Sequence, residues 1–132
     1  MTRLFLIMTM ALLSSLATLA QNNKKLVVII TRANWCPACR SSENKINNDL
    51  IPAYSNSKDV TIVVNDITNK KSKAKSKPVL AAAGVYEQSL KEQASGSIAL
   101  INLATGRVID RLYVVYETEK IKKAISEALA GI

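Results

Sequence analysis

The feature that most constrains this chain is an abrupt change of period around two cysteines. Leu26-Val27-Val28-Ile29-Ile30 is a short apolar, β-branched run, the composition of a strand buried on both faces. Trp35-Cys36-Pro37-Ala38-Cys39 follows it. Arg40 to Leu50 then runs without Gly or Pro, with Cys39, Glu43, Ile46 and Leu50 on one side of a 3.6-residue repeat. Strand, tight turn, helix is the local expectation. Cys36 falls at the N-cap and Pro37 at the first helical position, where a missing N–H costs nothing.

That placement has chemical consequences. A thiol at a helix N-terminus faces unpaired backbone N–H groups and the positive end of the helix dipole, both of which favour thiolate. Residues three apart on a helix are neighbours, so Cys39 can close a disulfide with Cys36. Cys36 is expected to be accessible and to attack, and Cys39 to be shielded and to resolve. These are the only cysteines among 132 residues. As a passive staple the pair would be weak, because stabilisation grows with the length of the closed loop and only Pro37 and Ala38 intervene. A structural disulfide or a metal-holding pair remains the alternative. The chain has no histidine and no second CxxC, so no metal site or cofactor is expected, and Ser-His or Cys-His catalysis is excluded.

Residues 1–20 read as a cleavable export signal: Arg3, an apolar core from Leu4 to Leu13, and small residues ending at Ala20. Ser14, Ser15 and Thr18 interrupt the run too early for a stable membrane anchor. Residues 21–132 suffice for one domain. A periplasmic or secreted location follows.

The rest of the chain alternates. Helix one is expected from Pro37 to about Ile51, ended or kinked by Pro52. Val60 to Val64 is a second strand, too apolar for an exposed edge of alternating type. The net charge of +8 is concentrated at Lys70, Lys71, Lys73, Lys75 and Lys77, with no acid among them. With no aromatic for base stacking and no apolar face, the stretch from Thr68 to Lys77 reads as a solvated, mobile connection rather than a nucleic-acid or membrane surface or a dock for an acidic partner. Ser76 is the expected cap of the next helix, with Pro78 in its first turn and Val79, Leu80 and Ala83 facing inward to Gly84. Tyr86 to Ala94 follows as a short helical piece with Tyr86, Leu90 and Ala94 in line. Ile98 to Ile101 and Arg107 to Tyr113 form a hairpin around Ala104-Thr105-Gly106, and Thr118 caps a helix with Ile121, Ala124, Ile125, Ala128 and Leu129 on one face.

This β-α-β-α-β-β-α order, with Trp-Cys-x-x-Cys closing the first strand, resembles the secreted thioredoxin-like disulfide oxidoreductases of bacteria. The resemblance implies an α/β fold with a mixed sheet of about four strands and helices on both faces. It implies Cys36 as nucleophile, Cys39 as resolving thiol, Trp35 as the aromatic beside them, and Pro37 and Ala38 lining the site. The partners implied are protein or small-molecule thiols and disulfides, with no nucleic acid. Two positions depart from the family. Ile30 stands where an acidic residue lies beneath the dithiol, and the segment matching the cis-proline reads Ser95-Gly96-Ser97-Ile98, with Ser97 the matching residue. Without proline there, both bonds flanking Ser97 are expected to be trans.

Overall fold

Residues 23–132 are described by the computed structural model; the expected export signal, 1–20, lies outside them. The apolar run forms strand β1 (Leu26–Arg32), and its alternate side chains explain its composition. Leu26, Val28 and Ile30 enter one core, with Ile46, Leu50, Ile121 and Ile125. Val27 and Ile29 enter a second, with Leu80, Ala83 and Val85. A strand covered on both faces has no polar side to show, hence the absence of alternation. Each fully buried Leu or Ile contributes about 1.5–3 kcal/mol of transfer free energy.

The sheet has the order β2-β1-β3-β4. Strand β2 (Val60–Asp66) runs parallel to β1, starting from Leu26 opposite Val60. Strands β3 (Ser97–Asn102) and β4 (Arg107–Tyr113) form the antiparallel hairpin, with β3 also antiparallel to β1. This is the mixed four-stranded sheet anticipated above. Strand β2 lies at an edge of the sheet, yet none of its residues is exposed and it does not alternate, in keeping with its apolar sequence. It is apolar because helices cover its faces, leaving Val60 and Val63 buried and Ile62 and Val64 half-buried. Hydrophobicity reports covered faces and says nothing of hydrogen-bonded neighbours.

Helix α1 (Pro37–Lys45) widens into a π turn at Ile46–Leu50, where the Ile51 N–H reaches the Ile46 carbonyl, and resumes as α2 (Ile51–Ala53). Pro52 lacks an N–H and its ring crowds the carbonyl four residues back, and the wider turn lies directly before it. The inward face is Cys39, Ser42, Ile46 and Leu50; Glu43, expected on that side, is exposed.

The largest correction is helix α3 (Lys70–Ala82), which occupies most of the expected mobile connection. Its cap is Asn69, whose side-chain oxygen accepts the Ser72 N–H at 2.9 Å. Ser76 is not a cap. It lies buried in mid-helix, its hydroxyl accepting the Asp66 N–H at 3.0 Å, and Pro78 sits inside the helix. Leu80 and Ala83 face inward as expected, whereas Val79 is exposed. The second piece, α4 (Tyr86–Ser89), is shorter than the pattern suggests, and Leu90 is exposed. Helix α5 (Thr118–Ala130) buries Ile121, Ile125 and Ala128 as expected, but its cap is Glu117 and Thr118 is its first residue.

Candidate active site

The dithiol turn leaves the C-terminal end of β1. Cys36 has extended backbone (φ −88°, ψ 115°), Pro37 begins α1, and the Cys39 N–H donates to Cys36 Sγ at 3.3 Å. The helix is thus capped by a sulfur. Burial pushes the Cys36 thiol up, but hydrogen bonds from the Cys39 thiol and N–H, the Ser95 hydroxyl and the Ala38 backbone outweigh it and hold Cys36 below the ordinary thiol value. Cys39 moves the other way. Burial raises it first, its hydrogen bond to Cys36 and the charge there add to this, and a backbone hydrogen bond at Ala33 and the Arg32 guanidinium only partly compensate.

Both thiols are free, and each residue is 5% exposed. Residue exposure does not separate the two; Cys39 is the more closely enclosed, and the hydrogen bonds to Cys36 Sγ set the two thiols apart. Together with Ala33 they form a small buried cluster, flanked by Ala38 and Ile67.

Trp35 is 57% exposed. Its indole N–H donates to the Thr68 carbonyl at 3.2 Å, and the Asn34 N–H donates to the Thr68 hydroxyl at 2.9 Å. Packing of the strand end does not account for Trp35; the ring lies on the surface, tied to the residue just before the Asn69 cap. Pro37 is exposed and Ala38 half-buried beside the sulfurs.

Across from the dithiol lies the segment before β3. A side-chain carbon on Gly96 would sit 3.7 Å from Cys36 Sγ and 3.7 Å from Ala38 Cβ. Gly96 has φ +84°, which requires glycine, and its N–H and carbonyl bond to Thr31 (2.7 Å) and Val114 (2.9 Å). Ser97, the expected lining residue, does not face the sulfur: its hydroxyl donates to the Ala94 carbonyl at 2.7 Å. Gly96 and Ser95 take that place, one and two residues earlier, because the chain must turn at Gly96 before joining the sheet. Among the described residues no peptide bond is cis, as expected for the two flanking Ser97.

Beneath Cys39 is a cavity of about 30 Å³ lined by Ile30, Arg32 and Glu43. Arg32 bonds Asp66 at 2.8 Å and lies 3.9 Å from Glu43. Asp66 also accepts from the Thr68 N–H and hydroxyl. Burial alone would raise Asp66, but the Thr68 hydrogen bonds and Arg32 hold it below the usual carboxylate range.

No protein-family profile and no curated protein matches the sequence. Solved structures do match its architecture. A candidate thioredoxin from Neisseria meningitidis superposes with a TM-score of 0.55 at 16% identity, over 83% of this chain and 77% of that one. A candidate protein disulfide isomerase from Bacteroides thetaiotaomicron gives 0.53 at 18% identity, over 81% and 73%. Thioredoxin f2 of Chlamydomonas reinhardtii gives 0.51 at 16% identity, over 82% of each chain. The chain has the thioredoxin fold.

Within the thioredoxin fold, β1, α1 and the turn between them bring Trp35 to Cys39 to one end of the sheet, as sequence spacing implies. The sequence places the segment from Ser95 to Ile98 opposite the dithiol without singling out Ser95 or Gly96, and it gives no role to Thr68. Thr68 and Ser95 carry no local signal, since their roles arise from contacts across more than 30 residues with Asn34 and Trp35, and with Cys36. Gly96 did carry one: a lone glycine directly before a strand marks a turn of positive φ.

Proposed function

We propose that this chain is an exported thiol-disulfide oxidoreductase. One observation carries the reading: Cys36 Sγ caps α1, accepts the Cys39 N–H and is held toward thiolate, while Cys39 is held toward thiol directly behind it. That is a division of labour. The Cys36 thiolate attacks one sulfur of a substrate disulfide, forming a mixed disulfide and expelling the other substrate sulfur as thiolate. Cys39 then loses its proton to solvent and attacks Cys36 Sγ, expelling the second substrate thiolate. The protein ends as a Cys36–Cys39 disulfide, and the substrate has gained two electrons. The reverse sequence oxidises a dithiol. The thioredoxin fold, shared by proteins described as thioredoxins and a disulfide isomerase, supports the same reading.

Turnover with an uncharged dialkyl disulfide, with the Cys36–Cys39 reduction potential, tests the proposal. Reduction of the disulfide at a potential above about −300 mV is expected; an inert pair below it is a structural bridge. Export rests on residues 1–20 alone. Recovery of a mature chain beginning at Gln21 outside the cytoplasm supports it, and an intact Met1 end on a cytoplasmic protein refutes it.

A further inference from the structure

The lysine-rich stretch is a helix, and that helix starts at the dithiol. Thr68 is bonded to Asn34 and Trp35, Ile67 packs against the cysteine cluster, and Asn69 begins α3. Lys70, Lys71 and Lys73 therefore occupy the first turn of a helix whose end adjoins Trp35, and all three are exposed. The first turn holds no acid. Lysines are adverse to folding here, since a helix N-terminus already carries partial positive charge. The lysines and the helix end reinforce one another beside an exposed aromatic ring.

Nearby charge does not cancel this. Asp66 is occupied by Arg32 and Thr68, and Glu43 lies beside Arg32. Arg40, directly after Cys39, is also exposed. Among the described residues none of Lys70, Lys71, Lys73, Lys75 and Lys77 is in an ion pair. Lys77 lies over the Tyr86 ring, about 10 Å further along the helix by its rise per residue. The first-turn lysines lie within roughly one physiological Debye length, about 8 Å, of the helix end, so their field reaches a partner docking there.

We propose that the preferred partner of this dithiol is a polypeptide whose disulfide is flanked by Asp and Glu, with Trp35 as its apolar contact and Lys70, Lys71 and Lys73 as its charged rim. The proposal deepens the dithiol reading above and rests on it. An exposed tryptophan with a lysine-rich helix end on one side has the make-up of a contact site whose specificity and encounter rate come from complementary charge. The electron transfer is the two-step exchange already described, with the acidic peptide as the disulfide.

The test compares two peptides with the same disulfide loop, one flanked by glutamates and one by lysines, and an uncharged dialkyl disulfide, by single-turnover rates of the reduced protein. The uncharged disulfide reports the dithiol itself; if it is not reduced, the functional reading fails first. If it is reduced, the acidic peptide is expected to react about tenfold faster than the basic one at low salt. That ratio should collapse toward unity in 1 M salt, where the Debye length is about 3 Å. It should also collapse in the triple variant Lys70→Glu, Lys71→Glu, Lys73→Glu. A control triple, Lys25→Glu, Lys58→Glu, Arg107→Glu, changes net charge equally at the opposite end of the sheet and should keep the ratio. Equal rates for the two wild-type peptides overturn the proposal, as does equal loss of preference in both triples. Tight binding of a single-stranded oligonucleotide without any peptide preference assigns α3 to nucleic acid and overturns it too. The salt series on the wild-type chain decides independently of whether the variants fold.

Discussion

Helices α1 and α3 are a matched pair used in opposite ways. Each follows one of the two parallel strands, so both present their N-termini at the same end of the sheet. Each also contains proline: Pro37 at the start of α1, Pro78 deep within α3. At α1 the positive helix end meets the Cys36 sulfur, which accepts the Cys39 N–H, and favours its thiolate form. At α3 the same field is met by the neutral Asn69 cap and then by three lysines, so it is projected outward. One helix end makes a nucleophile. The other makes a charged surface for what the nucleophile meets.

The largest effect that sharpens this comparison comes from replacing the α1 cap with a residue of similar shape. Cys36→Ser keeps a good N-cap and should alter stability by only about 0.5 kcal/mol, yet abolish disulfide exchange, measured by turnover. Residual turnover would mean that Cys39 acts alone. The same cap sets a pH dependence. Cys36 is lowered and Cys39 raised, so in the interval between them only Cys36 is thiolate, and alkylation with peptide mapping should label Cys36 first as pH rises. A lowered thiol stabilises the reduced fold fully above the ordinary thiol value and loses that contribution as pH falls through its own pKa. The raised Cys39 contributes below the ordinary value and loses its contribution as pH rises through its own. Ser95→Ala should move the Cys36 midpoint upward.

On the α3 side the effects fall on stability rather than on disulfide exchange, and they are ordered. Leu80 is the large side chain that α3 buries against the sheet, and Leu80→Ala should cost about 2–5 kcal/mol in denaturant unfolding. Asn69→Ala removes the hydrogen bond to Ser72 and should cost about 1 kcal/mol while leaving disulfide exchange with an uncharged substrate intact. Loss of that activity would show that the α3 cap holds the dithiol as well. The smallest effect has the opposite sign: Lys70→Glu places favourable charge in the first turn of α3 and should raise stability by about 0.3–1 kcal/mol at low salt. A fall in melting temperature would mean that Lys70 is engaged within the fold.

These two helices also show what a sequence makes legible. The β1 strand, the dithiol turn and α1 stand out because a buried strand, a capping thiol and a 3.6-residue repeat follow one another without interruption. Helix α3 is obscure because its inward face is only Ser76 and Leu80, too sparse to show a period, while Pro78 suggests a start where there is none. Its real start, Asn69 followed by lysines of high helix propensity, is a capping signal without a hydrophobic one. The site divides in the same way. Cys36 and Cys39 meet through helix geometry, which spacing encodes, whereas Ser95 and Gly96 reach Cys36 through the pairing of β3 with β1, which spacing does not. That is why the residue placed opposite the sulfur was Ser97 rather than Gly96.

Trp35 is the only tryptophan in the chain, and it hangs from the Thr68 carbonyl at the joint between the dithiol turn and α3. Light absorbed and re-emitted by an indole in this protein therefore originates at one known point, one peptide bond from Cys36. The state of the sulfur pair and the seating of the lysine helix fall within view of a single natural fluorophore, so the chain carries its own optical gauge and both events can be followed on unlabelled protein.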